Sequence, residues 1–133
     1  LSIKLKTVGD LMLTGKKIPI VNENIKMERA LKIINEKKLG VLLFKNFKGM
    51  TTGIITDGDL KRIAQKFKKF DNLNLKKIMT KNPISIDIET LAASALSLMN
   101  TKKITSLCVH KNNKKRKTVG IIHMHDILRS NIS

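Results

Sequence analysis

Apolar positions along this chain follow a helical rhythm, then a strand rhythm, and the same succession occurs twice. Met27, Ala30, Leu31 and Ile34 fall at i, i+3, i+4 and i+7, which predicts an amphipathic helix over 26–38. Leu91, Ala95, Leu98 and Met99 mark a similar face over 90–102. Each helix is preceded by a short extended piece containing proline, "IPIV" (18–21) and "PISI" (83–86), where Pro marks an edge or a strand start. Each is followed by a short apolar run, "VLLF" (41–44) or "LCVH" (107–110), that predicts a buried strand. A polar turn comes next, "KNFKG" or "KNNKKRK", then a second strand, "TTGII" or "TVGII". A last helix begins in "DGDLKRIAQKF" or "MHDILRSN".

Three landmarks fix the repeat. Met12 and Met79 end two short helical turns 67 positions apart, Ala30 and Ala95 are 65 apart, and Gly53 and Gly120 are again 67 apart. Internal repetition at one period indicates two copies of one supersecondary unit. The order in each is β-α-β-β-α after a leading turn, an α/β (α+β) class. The first copy is expected over 1–66, a linker over 67–74 ("FKKFDNLN"), and the second copy over 75–133. One copy is too small to bury its own sheet well. Two copies are expected to pack their sheets face to face about a pseudo-two-fold axis, sharing a core and forming two equivalent clefts.

Composition narrows this only slightly. With 41% hydrophobic residues, no Trp, no Tyr and four Phe among 133 residues, the core must be built from Ile, Leu, Val and Met. No apolar run is long enough for a membrane span. No signal peptide is visible, which fits a cytoplasmic protein. The chain opens on Leu1 rather than Met, as expected of a piece of something longer. Cys108 lies in an apolar strand and reads as a buried, inert thiol. The net charge of +17 permits a phosphate-bearing partner, but lysine is scattered over the whole chain and is not interleaved with stacking aromatics. Nucleic-acid binding is therefore not the favoured reading.

The candidate chemistry sits at the repeated ending, "GIITDGDLKR" (53–62) and "GIIHMHDILR" (120–129). Thr56 and Asp59 are spaced as a capping box with Asp in place of Glu, so a purely structural role competes with a functional one. At such a helix start a hydroxyl can donate to phosphate, and an Asp one turn on can accept from sugar hydroxyls. Gly58 lets a ligand approach the backbone. Ile20, Ile84 and Ser85, from the extended pieces, would supply walls and main-chain groups for a base. In the second copy His123 replaces Thr56 and Asp126 matches Asp59. Protonated, His123 would add positive charge near pH 6–7. His123, His125 and Asp126 do not make a convincing metal site. His110 reads as structural. No catalytic constellation, metal site or cofactor motif is expected from the chain.

The two copies, the element order and the ending Gly-h-h-Thr-x-x-Asp resemble the CBS domain pair, or Bateman module. The strings "VGDLMLTGKKIPIV", "GIITDGDLKR" and "GIIHMHDILR" further resemble the C-terminal CBS pair of the D-arabinose-5-phosphate isomerases, in which a separate sugar-isomerase (SIS) domain does the chemistry. The resemblance implies a non-catalytic regulatory module, dimeric, with Thr56, Gly58, Asp59, His123 and Asp126 facing an anionic nucleotide or a nucleotide sugar such as CMP-Kdo. The pathway implied is that of Kdo and lipopolysaccharide precursors. The alternatives are a free-standing sensor of adenine nucleotides, a basic nucleic-acid-binding module, or a pair that only holds oligomer geometry.

Overall fold

The structure is a computed structural model and describes residues 5–66 and 73–130. The linker expected over 67–74 lies outside the described residues except for Leu73 and Asn74, as does most of the basic string "KFKKF". Among the described residues six α-helices and seven strands follow in the order α1 (Val8–Leu11), β1 (Ile20–Asn22), α2 (Met27–Lys37), β2 (Val41–Lys45), β3 (Thr51–Thr56), α3 (Asp57–Lys66), α4 (Leu75–Ile78), β4 (Thr80–Lys81), β5 (Ser85–Asp87), α5 (Ala92–Lys102), β6 (Ser106–His110), β7 (Gly120–His123) and α6 (Met124–Ser130). A 3-10 turn, Gly15–Lys17, precedes β1. The β-α-β-β-α order is present twice.

The chain forms two compact units, and they are offset from the two copies. One unit is Pro19–Pro83; the other joins Leu1–Ile18 to Ile84–Ser133. In the Pro19–Pro83 unit the sheet order is β1-β2-β3-β4. β1 runs parallel to β2 with α2 as the crossover, and β2 and β3 form an antiparallel hairpin. The edge strand β4 comes from the start of the second copy, with Ile54 opposite Thr80. The other unit repeats this arrangement: β5-β6-β7, with Leu13 from the start of the first copy bridged to Ile121. Each copy thus lends its leading helix and the residues just after it to the sheet of the other.

Packing explains the landmarks of the repeat. A Cβ on Gly53 would stand 2.8 Å from Met79 Cγ, and one on Gly120 would stand 2.9 Å from Met12 Cγ. Both methionines lie on the strand glycine of the opposite copy, and no side chain fits between them. Ala30 and Ala95, at 3% and 1% exposure, let α2 and α5 lie close to their sheets. The repeated Lys37-Lys38 and Lys102-Lys103 are helix ends: Lys38 and Lys103 both take the left-handed conformation, at φ 56° and 57°. Lysine at this end also suits the negative pole of the helix.

Each unit has its own cluster of buried apolar residues. Val8, Ala92, Ala95, Met99, Leu107, Val109, Ile122 and Ile127 cluster in one unit. Met27, Ala30, Ile34, Leu42, Phe44, Ile55, Leu75 and Met79 cluster in the other. Each unit gains a core because the borrowed helix, α1 or α4, supplies Val8 or Leu75 to it. Val41 and Leu43, which alternate with Leu42 and Phe44, are buried as well, so β2 is covered on both faces.

Candidate functional site

Both repeated endings are strand-to-helix junctions, and each is tied by its own side chains. In the Pro19–Pro83 unit, Asp57 N–H donates to Gly40 O (2.9 Å), closing the end of β3. Thr56 then caps α3. Its N–H donates to Asp59 Oδ2 (2.9 Å), and Asp59 N–H donates to Thr56 Oγ1 (3.1 Å), a complete capping box. Arg62, one turn further on, pairs with the second carboxylate oxygen of Asp59. Because Thr56 Oγ1 accepts from the helix, its own hydrogen is left to donate elsewhere. Gly58 is not demanded by this backbone. A Cβ there would find only ordinary contacts, Arg62 Nη1 at 3.6 Å and Thr56 Oγ1 at 3.7 Å. What the glycine preserves is open space beside the Thr56 hydroxyl.

The second junction keeps half of the box and rebuilds the rest. His123 N–H donates to Asp126 Oδ2 (3.2 Å), as Thr56 does to Asp59. The capping acceptor is now His123 Nδ1, which takes the N–H of His125 (3.0 Å). Nδ1 is therefore unprotonated, and the neutral ring carries its proton on Nε2. Burial, the neighbouring His125 and Arg129 hold the His123 pKa below its ordinary value against the opposing pull of Asp126. His123 is thus a cap with one donor, Nε2–H, left to offer. Thr56 and His123 thus do the same job, acceptor towards the helix and donor away from it, with the imidazole placing its donor further out. The His125 ring, at the place of Gly58, stacks on His123 with centroids 4.8 Å apart. Arg129 pairs with Asp126 Oδ1 (2.6 Å). Among the described residues no group of three or more His, Cys, Asp or Glu is arranged to hold a metal ion.

Strand register places the remaining candidates. Ile20 opposes Leu43 and, through β2, Ile54, two residues from Thr56. Ser85 opposes Cys108 and, through β6, Ile121, two residues from His123. The sequence-predicted residues therefore sort into Ile20, Thr56, Gly58 and Asp59 in one unit and Ile84, Ser85, His123 and Asp126 in the other. Ile84 is exposed, and its carbonyl accepts from Cys108 N–H (3.1 Å), so that main-chain group is engaged in the sheet. Ser85 Oγ lies 2.6 Å from Nδ1 of the buried His110, a structural partner for both. Burial pushes the Cys108 thiol up to about 11, which keeps it protonated and unreactive.

Three participants escape the motif. Arg62 and Arg129 occupy the same place in both copies and hold the two carboxylates. Ser106 opposes His123 on β6 and is 8% exposed, with no hydrogen-bond partner for its hydroxyl. Its signal was the repeat offset: 65 positions earlier stands Val41, in the same register opposite Thr56.

A cleft of about 540 Å³ opens elsewhere in the Pro19–Pro83 unit, between Glu23–Glu28 at the start of α2 and Leu73–Lys76. The corresponding place in the other unit is closed, with Gly9 N–H donating to Ile88 O (3.0 Å) and no room for a Cβ. Lys76 stands in place of that glycine and meets Glu23 (3.6 Å) across the cleft.

Paired strand-to-helix junctions, repeated at one offset and built on exchanged edge strands, are matched by one family model, named for the CBS domain, over residues 8–66 and 75–132. The chain belongs to the CBS domain family. It is a CBS pair, and its relatives include larger proteins. It is 38% identical over 97% of its length to the uncharacterized protein RP505 of Rickettsia prowazekii, of which it spans 39%. It is 34% identical over 96% of its length to the arabinose 5-phosphate isomerase KdsD of Yersinia pestis, of which it spans 38%. The chain thus covers well under half of the curated relatives it matches. Among solved structures, the CBS domain pair of protein MJ0100 in complex with 5′-methylthioadenosine and S-adenosyl-L-methionine has a TM-score of 0.81 and 25% identity, covering 94% of each chain. No described helix is long and apolar enough to cross a membrane.

Proposed function

We propose that this CBS pair is the regulatory, ligand-sensing part of an arabinose 5-phosphate isomerase in Kdo and lipopolysaccharide precursor synthesis. It works in the cytoplasm as a homodimer, joined to an SIS domain. Its ligand is an anionic nucleotide or nucleotide sugar of the CMP-Kdo kind. The observation that carries this reading is the shared design of the two junctions. Each presents one donor, Thr56 Oγ–H or His123 Nε2–H, beside a carboxylate fixed by an arginine. Such a donor suits an oxyanion. A carboxylate with lone pairs to spare suits sugar hydroxyls. Similarity to the KdsD isomerase over nearly the whole chain supports the pathway, and the two nucleoside ligands in the MJ0100 pair support the ligand class.

Calorimetry with CMP-Kdo, CMP, AMP and ATP tests this. CMP-Kdo should bind with a submillimolar Kd and more tightly than AMP. Replacing Asp126 by Ala should weaken binding by about 1–3 kcal/mol, since sugar hydroxyls would lose their acceptor. Preference for AMP or ATP would favour a free-standing adenine-nucleotide sensor. If none of the four binds below millimolar, the junctions are caps and nothing more.

A further inference from the structure

The two junctions lie on sheet faces of opposite character, and the difference is concentrated beside His123. Strand register aligns Ile20 with Ser85, Val41 with Ser106, Leu43 with Cys108 and Thr56 with His123. Alternation puts each set on one face of its sheet. In the first copy that face is aliphatic up to Thr56. In the second it carries two hydroxyls, a thiol and an imidazole.

Ser85 Oγ is engaged with His110 (2.6 Å). Ser106 Oγ is not engaged, although it is more than nine-tenths buried. A buried hydroxyl without a partner is costly, and a valine at the aligned position shows that the fold does not require one. Met124 N–H donates to Thr105 O (2.8 Å), so the next pair along, Ser106 and His123, is of the non-hydrogen-bonded kind. Side chains approach most closely in such pairs, with Cα atoms about 4.5 Å apart. Ser106 therefore stands directly beside the one side chain whose outward donor defines this junction.

We infer that Ser106 is a specificity-determining residue of the second junction, its hydroxyl hydrogen-bonding an uncharged donor–acceptor group of the ligand, the edge of a nucleobase, while His123 holds the anionic part. This rests on the ligand-sensing reading given above. An uncharged group is indicated because Ser106 is more than nine-tenths buried, where a charge is costly, whereas His123 is only half-buried. A serine both donates and accepts, which matches the mixed polarity of a base edge. The first junction, with Val41 at this place, offers no such reading.

The test uses the whole chain, wild type and Ser106→Ala, with CMP, AMP and ribose 5-phosphate as probes. The nucleotide that wild type binds should lose about five- to tenfold in affinity on Ser106→Ala, as a lost hydrogen bond implies. Ribose 5-phosphate, which has no base, should be unaffected. The melting temperature of the ligand-free protein should stay level or rise by a few degrees, because an unpaired buried hydroxyl has been removed. Equal nucleotide affinity in wild type and variant overturns the inference and leaves the sensing reading intact. An equal loss for ribose 5-phosphate overturns the base assignment. A lower melting temperature shows that the hydroxyl is structurally paired, which also overturns it. If wild type binds none of CMP, AMP, CMP-Kdo and ATP, the sensing reading fails and takes this inference with it.

Discussion

The crossed contact between Met12 and Gly120 makes a quantitative prediction. A Cβ built on Gly120 would lie 2.9 Å from Met12 Cγ, closer still to its sulfur, and 3.0 Å from Leu13 O. The carbonyl cannot retreat freely, because Leu13 O accepts from Ile121 N–H (3.1 Å) and Leu13 N–H donates to Ile121 O (2.9 Å). Gly120→Ala should therefore cost about 2 kcal/mol, within the usual range for overpacking. For a chain of this size that lowers Tm by roughly 5–10 °C. Gly53→Ala should cost less, since every atom in its way belongs to the Met79 side chain, which can swing aside. The decisive measurement is a pair of double-mutant cycles by urea denaturation. Combining Gly120→Ala with Met12→Ala should recover about 1 kcal/mol of the summed losses, the part due to sulfur and Cγ; the carbonyl part remains. Combining it with Met79→Ala should be additive within about 0.5 kcal/mol. Coupling to Met79 in place of Met12, or additivity in both cycles, would refute the crossed arrangement.

Other expectations are simpler to check. His123 has a folded pKa below its ordinary value, so the unfolded chain binds its proton more readily. Its contribution to stability is complete above about pH 6.5 and is lost as pH falls from there through the folded pKa. Urea midpoints between pH 5 and 8 should show this slope, and His123→Thr should flatten it. Arabinose 5-phosphate should not be turned over by this chain alone, because the repeated acids Asp59 and Asp126 are each engaged by an arginine and a helix start rather than placed as a proton-transfer base. Light scattering should give twice the monomer mass; a monomer at high concentration would contradict the dimer.

Much of this architecture was legible because it rests on local rules. The 3.6-residue spacing of Met27, Ala30, Leu31 and Ile34 found α2, and the Thr56–Asp59 spacing found the capping box that starts α3. What stayed hidden depends on which copy partners which. Met12 and Gly120 were both visible as landmarks, yet nothing in a repeat says whether a segment packs on its own copy or on the other. The strand pairing of Thr80–Lys81 with β3 was missed for the same reason. The His123 pKa depends on its burial and on the charges of His125, Asp126 and Arg129 around it, surroundings that the string "HMHD" does not reveal. Ser106 was overlooked because one serine in front of an apolar run reads as its polar boundary.

The lending of each leading segment to the opposite sheet also imposes an order in time. Leu13 leaves the ribosome well before its partner Ile121, which is 108 positions behind it. At about 5–20 residues per second the two are separated by roughly 5–20 s of synthesis. During that interval Val8 and Met12 have no core to enter, whereas Leu75 and Met79 emerge behind a finished β3 and can dock at once. The Pro19–Pro83 unit can therefore be complete while the chain is still growing. Within this pair, the segment made first is the one that must wait longest for its place.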